Sequence, residues 1–332
     1  MLNPEQLENL YRDALVWDNN LSWALGGYGD AAHLIRFKKS GVKVVAISVF
    51  FRDIEGIAKT FRAIASVFAD CKKHKDEIMI VKSVDDIMKA KTEDKIATFM
   101  TFQETLPFEE NLDLIQLYYN IGVKQALLAY NSRNSVADGC AESSNAGLSN
   151  FGKMVVKEMN EVGMIIDGAH SGYKSTMEAM DLSTHPFIFS HTNVYNLYEH
   201  YRNVRDDQIK ACASTGGVIG ITGSGDYMGE VHPNSETIFQ HVDYIAQMVG
   251  AEHVGFGLDY VLNPEHFFET GVYPFPHRWP MTPAGKYQVY DFLGPEYIYG
   301  VVELMNSHGY SEKDIRNVLG DNFLRVAKQT WK

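Results

Sequence analysis

Cysteine, positive charge and long apolar runs are what this sequence has least of. Cys71, Cys140 and Cys212 are its only cysteines in 332 residues, far apart and without a C-x-x-C pair. That argues against a disulfide framework and a thiolate zinc site, and fits a reducing compartment. Lys and Arg number 30 against 42 Asp and Glu, a formal charge of -12. Nucleic acid and anionic membrane surfaces need a basic patch, so both are set aside as partners. No run reaches the ~18 apolar residues of a membrane span. The opening MLNPEQLENLYRDALVWD is polar and amphipathic, with no apolar secretion segment, so the expected location is cytoplasmic. No linker-like or low-complexity break divides the chain.

What is present is apolar content in short, regularly spaced runs. With 45% hydrophobic and 12% aromatic residues a sizeable core is within reach. Eight runs read as buried strands: ALVWD ending at Asp18, then 42–50, 95–103, 123–131, 164–170, 186–192, 216–223 and 253–260. Helical spacing falls at 4–13, 54–74 and 83–91, in FEENLDLIQLYYNIG and LSNFGKMVVKEMNEVG, then near 174–182, 205–214 and 235–249. Three helices close the chain near Trp331. Strands alternating with helices predict a parallel sheet, and eight of them a single (β/α)8 TIM barrel over residues 1–332, with a C-terminal helical extension from about 281. A doubly wound sheet would carry a Gly-rich phosphate turn after its first strand, where this chain has DNNLSW.

Chemistry in such a barrel gathers at the C-terminal strand ends. Those ends read Asp18, Asn20, Arg52, Gln103, Glu104, Tyr130, Asn131, His170, His191 and Asp259. Each has an ordinary explanation alone: a histidine after a strand can be a hydrogen-bonded loop residue, and an aspartate there can cap the next helix. Two histidines on adjacent strands with an aspartate further round form a candidate metal or catalytic set. MIIDGAH, a helix and PFIFSHT make a βαβ unit, which turns His170 and His191 toward one space.

The segments IDGAHSG, PFIFSHTNVYNLYEHYRNVRDD, GGVIGI, HVGFGLDY and VLGDNFLRVAKQTW carry a resemblance to a known family, supported by KIATFMTFQ, YYNIGVKQALLAYNSRNSVADGC and GLSNFGKMVVKEMNEVGMIID. The chain resembles, from Trp17 to Trp331, the membrane (renal-type) dipeptidases, peptidase family M19, within the amidohydrolase-like barrels of metal-dependent hydrolases. A typical member binds two zinc ions and hydrolyses dipeptides. It uses a His-x-Asp pair after the first strand, a bridging Glu after the third, and one His each after the fifth and sixth. The resemblance implies that His170 and His191 are metal ligands, that Arg202 grips a substrate carboxylate, and that Asp259 handles a proton.

The chain also departs from that pattern. The His-x-Asp pair reads Asp18-Asn19-Asn20, the bridging Glu position reads Gln103, a further His is Tyr130, and Val261 stands where a D-x-D would end. Two divalent ions a few Å apart need anionic ligands, and each unit charge pair at ~4 Å and an effective dielectric of ~20 is worth about 4 kcal/mol. An amide in the bridging place removes one such charge, so one zinc is expected rather than two. His170 and His191 would hold it, with Asp18 or Asp259 as third ligand and Gln103 beside them. Such a shell with an open position lowers the pKa of bound water to near 7. Asp259, when not a ligand, would be the general base, and Tyr130 would donate to the developing oxyanion. Arg202, Arg133 and Asn131 would bind the substrate, a dipeptide or similar small amide with a free carboxylate.

The same losses allow a metal-free descendant that binds a small carboxylate without hydrolysing it, or metal-free acid–base work by His170, His191 and Asp259. Three smaller expectations follow. The stretch 267–280 either closes over the site or packs as an aromatic plug, His200 is a surface helix residue, and His253 is structural. Family relatives suggest a homodimer.

Overall fold

The computed structural model describes residues 1–23, 30–50, 56–272, 279–280 and 289–332. Arg52 and most of 273–288 lie outside the described residues. Among the described residues nine strands form one parallel sheet: β1 (Trp17–Ser22), β2 (Val44–Phe50), β3 (Ile78–Ile80), β4 (Ile96–Phe102), β5 (Val123–Leu127), β6 (Ile165–Asp167), β7 (Ile188–Thr192), β8 (Val218–Ile221) and β9 (Val254–Phe256). β1 pairs with both β2 and β9, and β2 pairs with β4. Eight strands therefore close into a ring, the (β/α)8 barrel that the alternation predicts. β3 stands outside the ring, pairing with the first half of β4.

Alternation along the strands divides the apolar residues into two cores. Val45, Ile47 and Val49 face outward and pack in the ring between barrel and helices. Val44, Ala46, Ala97, Phe99, Ile165, Ile188 and Val218 face inward with Trp17, and Phe323 and Leu324 of the closing helix Asn322–Thr330 pack against them. Above that apolar floor the inward positions turn polar, with Asn19, Gln125 and Asp167 all buried.

Helix starts follow their caps. Asn3, Asp30, Ser83 and Asn234 each accept from the first turn in a capping box, and the Gly163 backbone at φ 89° ends the helix Asn150–Val162. The helix Ala31–Lys39 and strand β3 are additions to the sequence reading. β1 is a shift: it runs on to Ser22, with a register irregularity between Asp18 and Leu21. Asp18 and Asn20 thus lie within the strand instead of at its end. No helix among the described residues is long and apolar enough to cross a membrane.

Candidate active site

Three site residues stand on left-handed backbone. Asn131, His170 and Asp259 have φ of 58°, 61° and 55°. Such geometry costs energy in non-glycine residues and collects at functional sites. At His170 it turns the ring, from the loop after β6, back over the rim toward His191 in β7. The two Nε2 atoms are 3.1 Å apart. Both rings are buried and pushed well below the ordinary histidine pKa, first by burial and then by the Arg202 charge, so both are neutral imidazoles.

Each ring is held on its far side. His170 Nδ1 donates to Asn131 Oδ1 at 2.6 Å, and Tyr130 stacks on the ring at 4.1 Å between centroids. His191 Nδ1 lies 2.7 Å from Ser190 Oγ. Asn131, expected to touch substrate, therefore orients His170 instead of facing open space.

The carboxylates lie elsewhere. Asp18 Oδ1 accepts the Leu258 N–H at 2.6 Å, while its Oδ2 is buried without a hydrogen-bond partner. Asn20 Nδ2 donates to Asp259 Oδ1 at 2.6 Å, and Gln103 Nε2 reaches Asn20 Oδ1 at 3.4 Å. Burial pushes both Asp18 and Asp259 up to about 7. Among the described residues, no three His, Cys, Asp or Glu side chains gather into a shell for an ion. The structure brings the imidazoles together and leaves Asp18 and Asp259 outside their cluster, each turned to its own donor. Glu104 accepts from Asn134 at 2.9 Å, pointing away from Gln103 as strand alternation predicts.

Arg202 is buried, with Nη2 donating to the His191 carbonyl at 2.8 Å and its guanidinium 5.2 Å from the Tyr227 ring. Its Nε has no hydrogen-bond partner. With His170 it lines a cavity of about 190 Å³ beside the rim, which Arg205, Tyr201 and Glu142 also wall. Arg133 lines neither this cavity nor the axial one, and binds Asp138 at 2.6 Å across its own loop.

The axial mouth is nearly filled. Gln103, Tyr130, Asp259 and Trp279 surround only about 20 Å³. Phe267, Phe268, Trp279 and Phe292 form an aromatic cluster with Tyr130, so the described part of 267–280 packs as a plug. His200 corrects its expectation. It is a buried loop residue whose Nδ1 accepts the Arg202 N–H, in the stretch 200–204 that also buries that arginine. His253 caps the barrel floor through the Gly217 carbonyl. Asp167 and Ser190, behind His191, were not anticipated. Their signal was the alternation that turns Asp167 inward above Ile165.

A sequence model of the membrane dipeptidases, peptidase family M19, matches residues 18–271. The chain belongs to family M19. An uncharacterized dipeptidase of Schizosaccharomyces pombe is 29% identical over 266 residues, which is 78% of this chain and 59% of that protein. The chain thus spans 59% of that curated relative's length. A Pseudomonas aeruginosa amidohydrolase structure is 26% identical with a TM-score of 0.87, covering 98% of this chain and 99% of the other. A Rhodobacter sphaeroides metallopeptidase, bound to a phosphinate mimic of L-Ala-D-Ala, shares the fold at 15% identity and a TM-score of 0.74, over 96% and 100% of the two chains.

M19 membership raises the question of a metal. Where the family resemblance places a bridging charge this chain has amides, Gln103 bonded to Asn20 and Asn20 in turn to Asp259. One ion fits the imidazole pair. Two nitrogens about 2.0–2.1 Å from zinc in a tetrahedral shell stand a little over 3 Å apart, and here they are 3.1 Å apart. Apart from that pair, Asp18 Oδ2 is buried without a hydrogen-bond partner, and burial raises both Asp18 and Asp259.

Proposed function

We propose that this M19 chain is a hydrolase of the membrane dipeptidase type, cleaving a dipeptide or similar small amide that bears a free carboxylate, with one zinc ion at His170 and His191. The observation that carries it is the 3.1 Å imidazole pair, whose His170 lines the cavity walled by Arg202. Zinc held there supplies Lewis acidity and an activated water.

The chain's own residues do the rest. Arg202 is braced by the His191 carbonyl, and its unpartnered Nε suits a carboxylate oxygen. Asp259, pushed up to about 7, exchanges its proton near neutral pH, as a general base must. Tyr130, stacked on His170 within the aromatic cluster, would donate to the developing oxyanion.

The test is metal analysis of the purified protein together with hydrolysis of a dipeptide panel. Close to one zinc per chain is expected, with His191→Ala losing both zinc and turnover. Two tightly held ions would contradict the reading. The alternative, a metal-free carboxylate binder, draws on the absence of a gathered third ligand among the described residues. Dipeptide binding without zinc and without turnover would establish it instead.

A further inference from the structure

The chain that follows β7 closes on itself before the next helix begins. The Val204 N–H donates to the Asn193 carbonyl and the Tyr195 N–H to the Val204 carbonyl, both at 2.9 Å. Residues 194 and 204 thus meet in a bridge, and the stretch between them is a loop with joined ends. One end is tied to the helix Ser235–Val249, since the Val194 N–H donates to His241 Nδ1 at 3.1 Å. Near the other, Asn203 Nδ2 donates to the Tyr198 and Tyr227 carbonyls at 2.9 and 2.8 Å. Arg202 belongs to this loop and is 3% exposed.

Arg202 is gripped at three points. Its main-chain N–H donates to His200 Nδ1 at 3.2 Å, and its carbonyl accepts the Thr192 hydroxyl at 3.0 Å. Its Nη2 donates to the His191 carbonyl at 2.8 Å. Burial, with the Arg202 charge behind it, pushes His200 down to about 3, so that ring is neutral and can accept. His191 and Thr192 are consecutive residues of β7, so one strand end carries a candidate metal ligand and two of the three grips on the arginine. A long arginine side chain loses much rotamer freedom when it binds an anion. Fixing its backbone and one nitrogen beforehand lowers that cost.

We infer that Thr192 and His200 are positioning residues for Arg202: they hold its backbone so that the guanidinium, steadied by the His191 carbonyl, meets a substrate carboxylate in the cavity it lines. The inference rests on the reading of Arg202 as the carboxylate grip. Both residues act through the arginine, and β7 sets the spacing between that grip and the imidazole pair.

The experiment measures KM and kcat for a dipeptide, the Kd of N-acetylglycine by calorimetry, and zinc content. The proteins are wild type, Arg202→Met, Thr192→Val, Thr192→Ser, His200→Leu and His200→Asn. Valine keeps the shape of threonine without the hydroxyl, and serine keeps the hydroxyl. Asparagine offers an oxygen close to where Nδ1 stands, and leucine offers none. Thr192→Val should raise KM and Kd by about 5–30-fold, the effect of one lost buried hydrogen bond. It should lower kcat by a smaller factor and keep its zinc, while Thr192→Ser recovers most of the affinity. His200→Leu and His200→Asn should behave as a second such pair, which decides the matter if the valine variant fails to fold. A purely structural role would lower the melting temperature without separating KM from kcat. Folded Thr192→Val and His200→Leu proteins with wild-type KM and Kd overturn the inference, as does a loss that serine and asparagine leave unrepaired. N-acetylglycine binding that Arg202→Met does not weaken overturns it too, and leaves the hydrolase reading standing. Arg202-dependent binding in a protein that cleaves no dipeptide sinks the hydrolase reading and leaves the inference in place.

Discussion

Asp259 combines a left-handed backbone, a carboxyl raised to about 7 and one amide donor. Asparagine tolerates that backbone and can accept from Asn20, so Asp259→Asn should fold with a near-normal melting temperature. Its turnover should drop by about 10²–10⁴-fold, the contribution of a general base. Asp259→Val puts a β-branched residue at φ 55° and should cost about 1–2 kcal/mol of stability as well. The raised pKa also gives a signed pH effect. An ordinary aspartate in the unfolded chain releases its proton near 3.8, while the folded carboxyl keeps it to about 7. The folded state binds more protons between those values, so this group's stabilisation is present at low pH and lost as pH rises through 7. Zinc-free wild type should therefore lose stability relative to Asp259→Asn between pH 4 and 7, by no more than about 1.4 kcal/mol per pH unit. Thermal melts of both proteins at several pH values will show it, and parallel curves would refute it. At this scale His170, His191 and Asp259 could be named from the sequence because they follow apolar runs. The Arg133–Asp138 pair could not, since a loop's internal bonds leave no periodic trace.

β7 carries both Ser190 and His191, and Gly220 of β8 and Gly257, just after β9, leave it room because they have no side chain. A Cβ on Gly220 would stand 2.1 Å from the Ser190 carbonyl oxygen, and one on Gly257 would stand 1.9 Å from it and 3.2 Å from the His191 Cβ. Those contacts are with backbone, so neither strand can absorb them by a rotamer change. Gly257→Ala should destabilise by about 1–3 kcal/mol, as overpacking generally does, and should weaken zinc binding by displacing His191. Denaturant melts and zinc titration check the two halves separately. The strands were legible because parallel strands buried on both faces read as continuous apolar runs. β3 has three residues, too few to show a pattern. The helix Ala31–Lys39 follows residues outside the described set, and its Asp30–His33 capping pair is a weak signal in sequence. The bulge in β1 shifted Asp18 and Asn20 into the strand, and bulges leave no mark in an apolar pattern.

Over the whole molecule, aromatic packing closes the axial mouth and leaves the larger space to one side, where Arg202 lies. Trp279 stands edge-on to both Tyr130 and His170, at 5.8 and 6.3 Å between centroids. Trp279→Ala should change kcat more than KM, because it loosens the rings and leaves the Arg202 cavity whole. An effect confined to KM would place substrate on the axial side instead. Which way the space opens could not be read from sequence, since an aromatic stretch such as 267–280 suits a cover as well as a core. The loss of charge at the rim was legible: amides stand at Asn20 and Gln103, and the structure shows them bonded to each other. The absence of a gathered third ligand among the described residues required coordinates, because it depends on which donors Asp18 and Asp259 face.

The most direct measurement is the zinc content of the purified wild-type and His191→Ala proteins by mass spectrometry of the metal. Close to one ion per wild-type chain and none in the variant is the expected result. Two ions per chain, or one that survives the loss of His191, would contradict a single cation held between the two imidazoles.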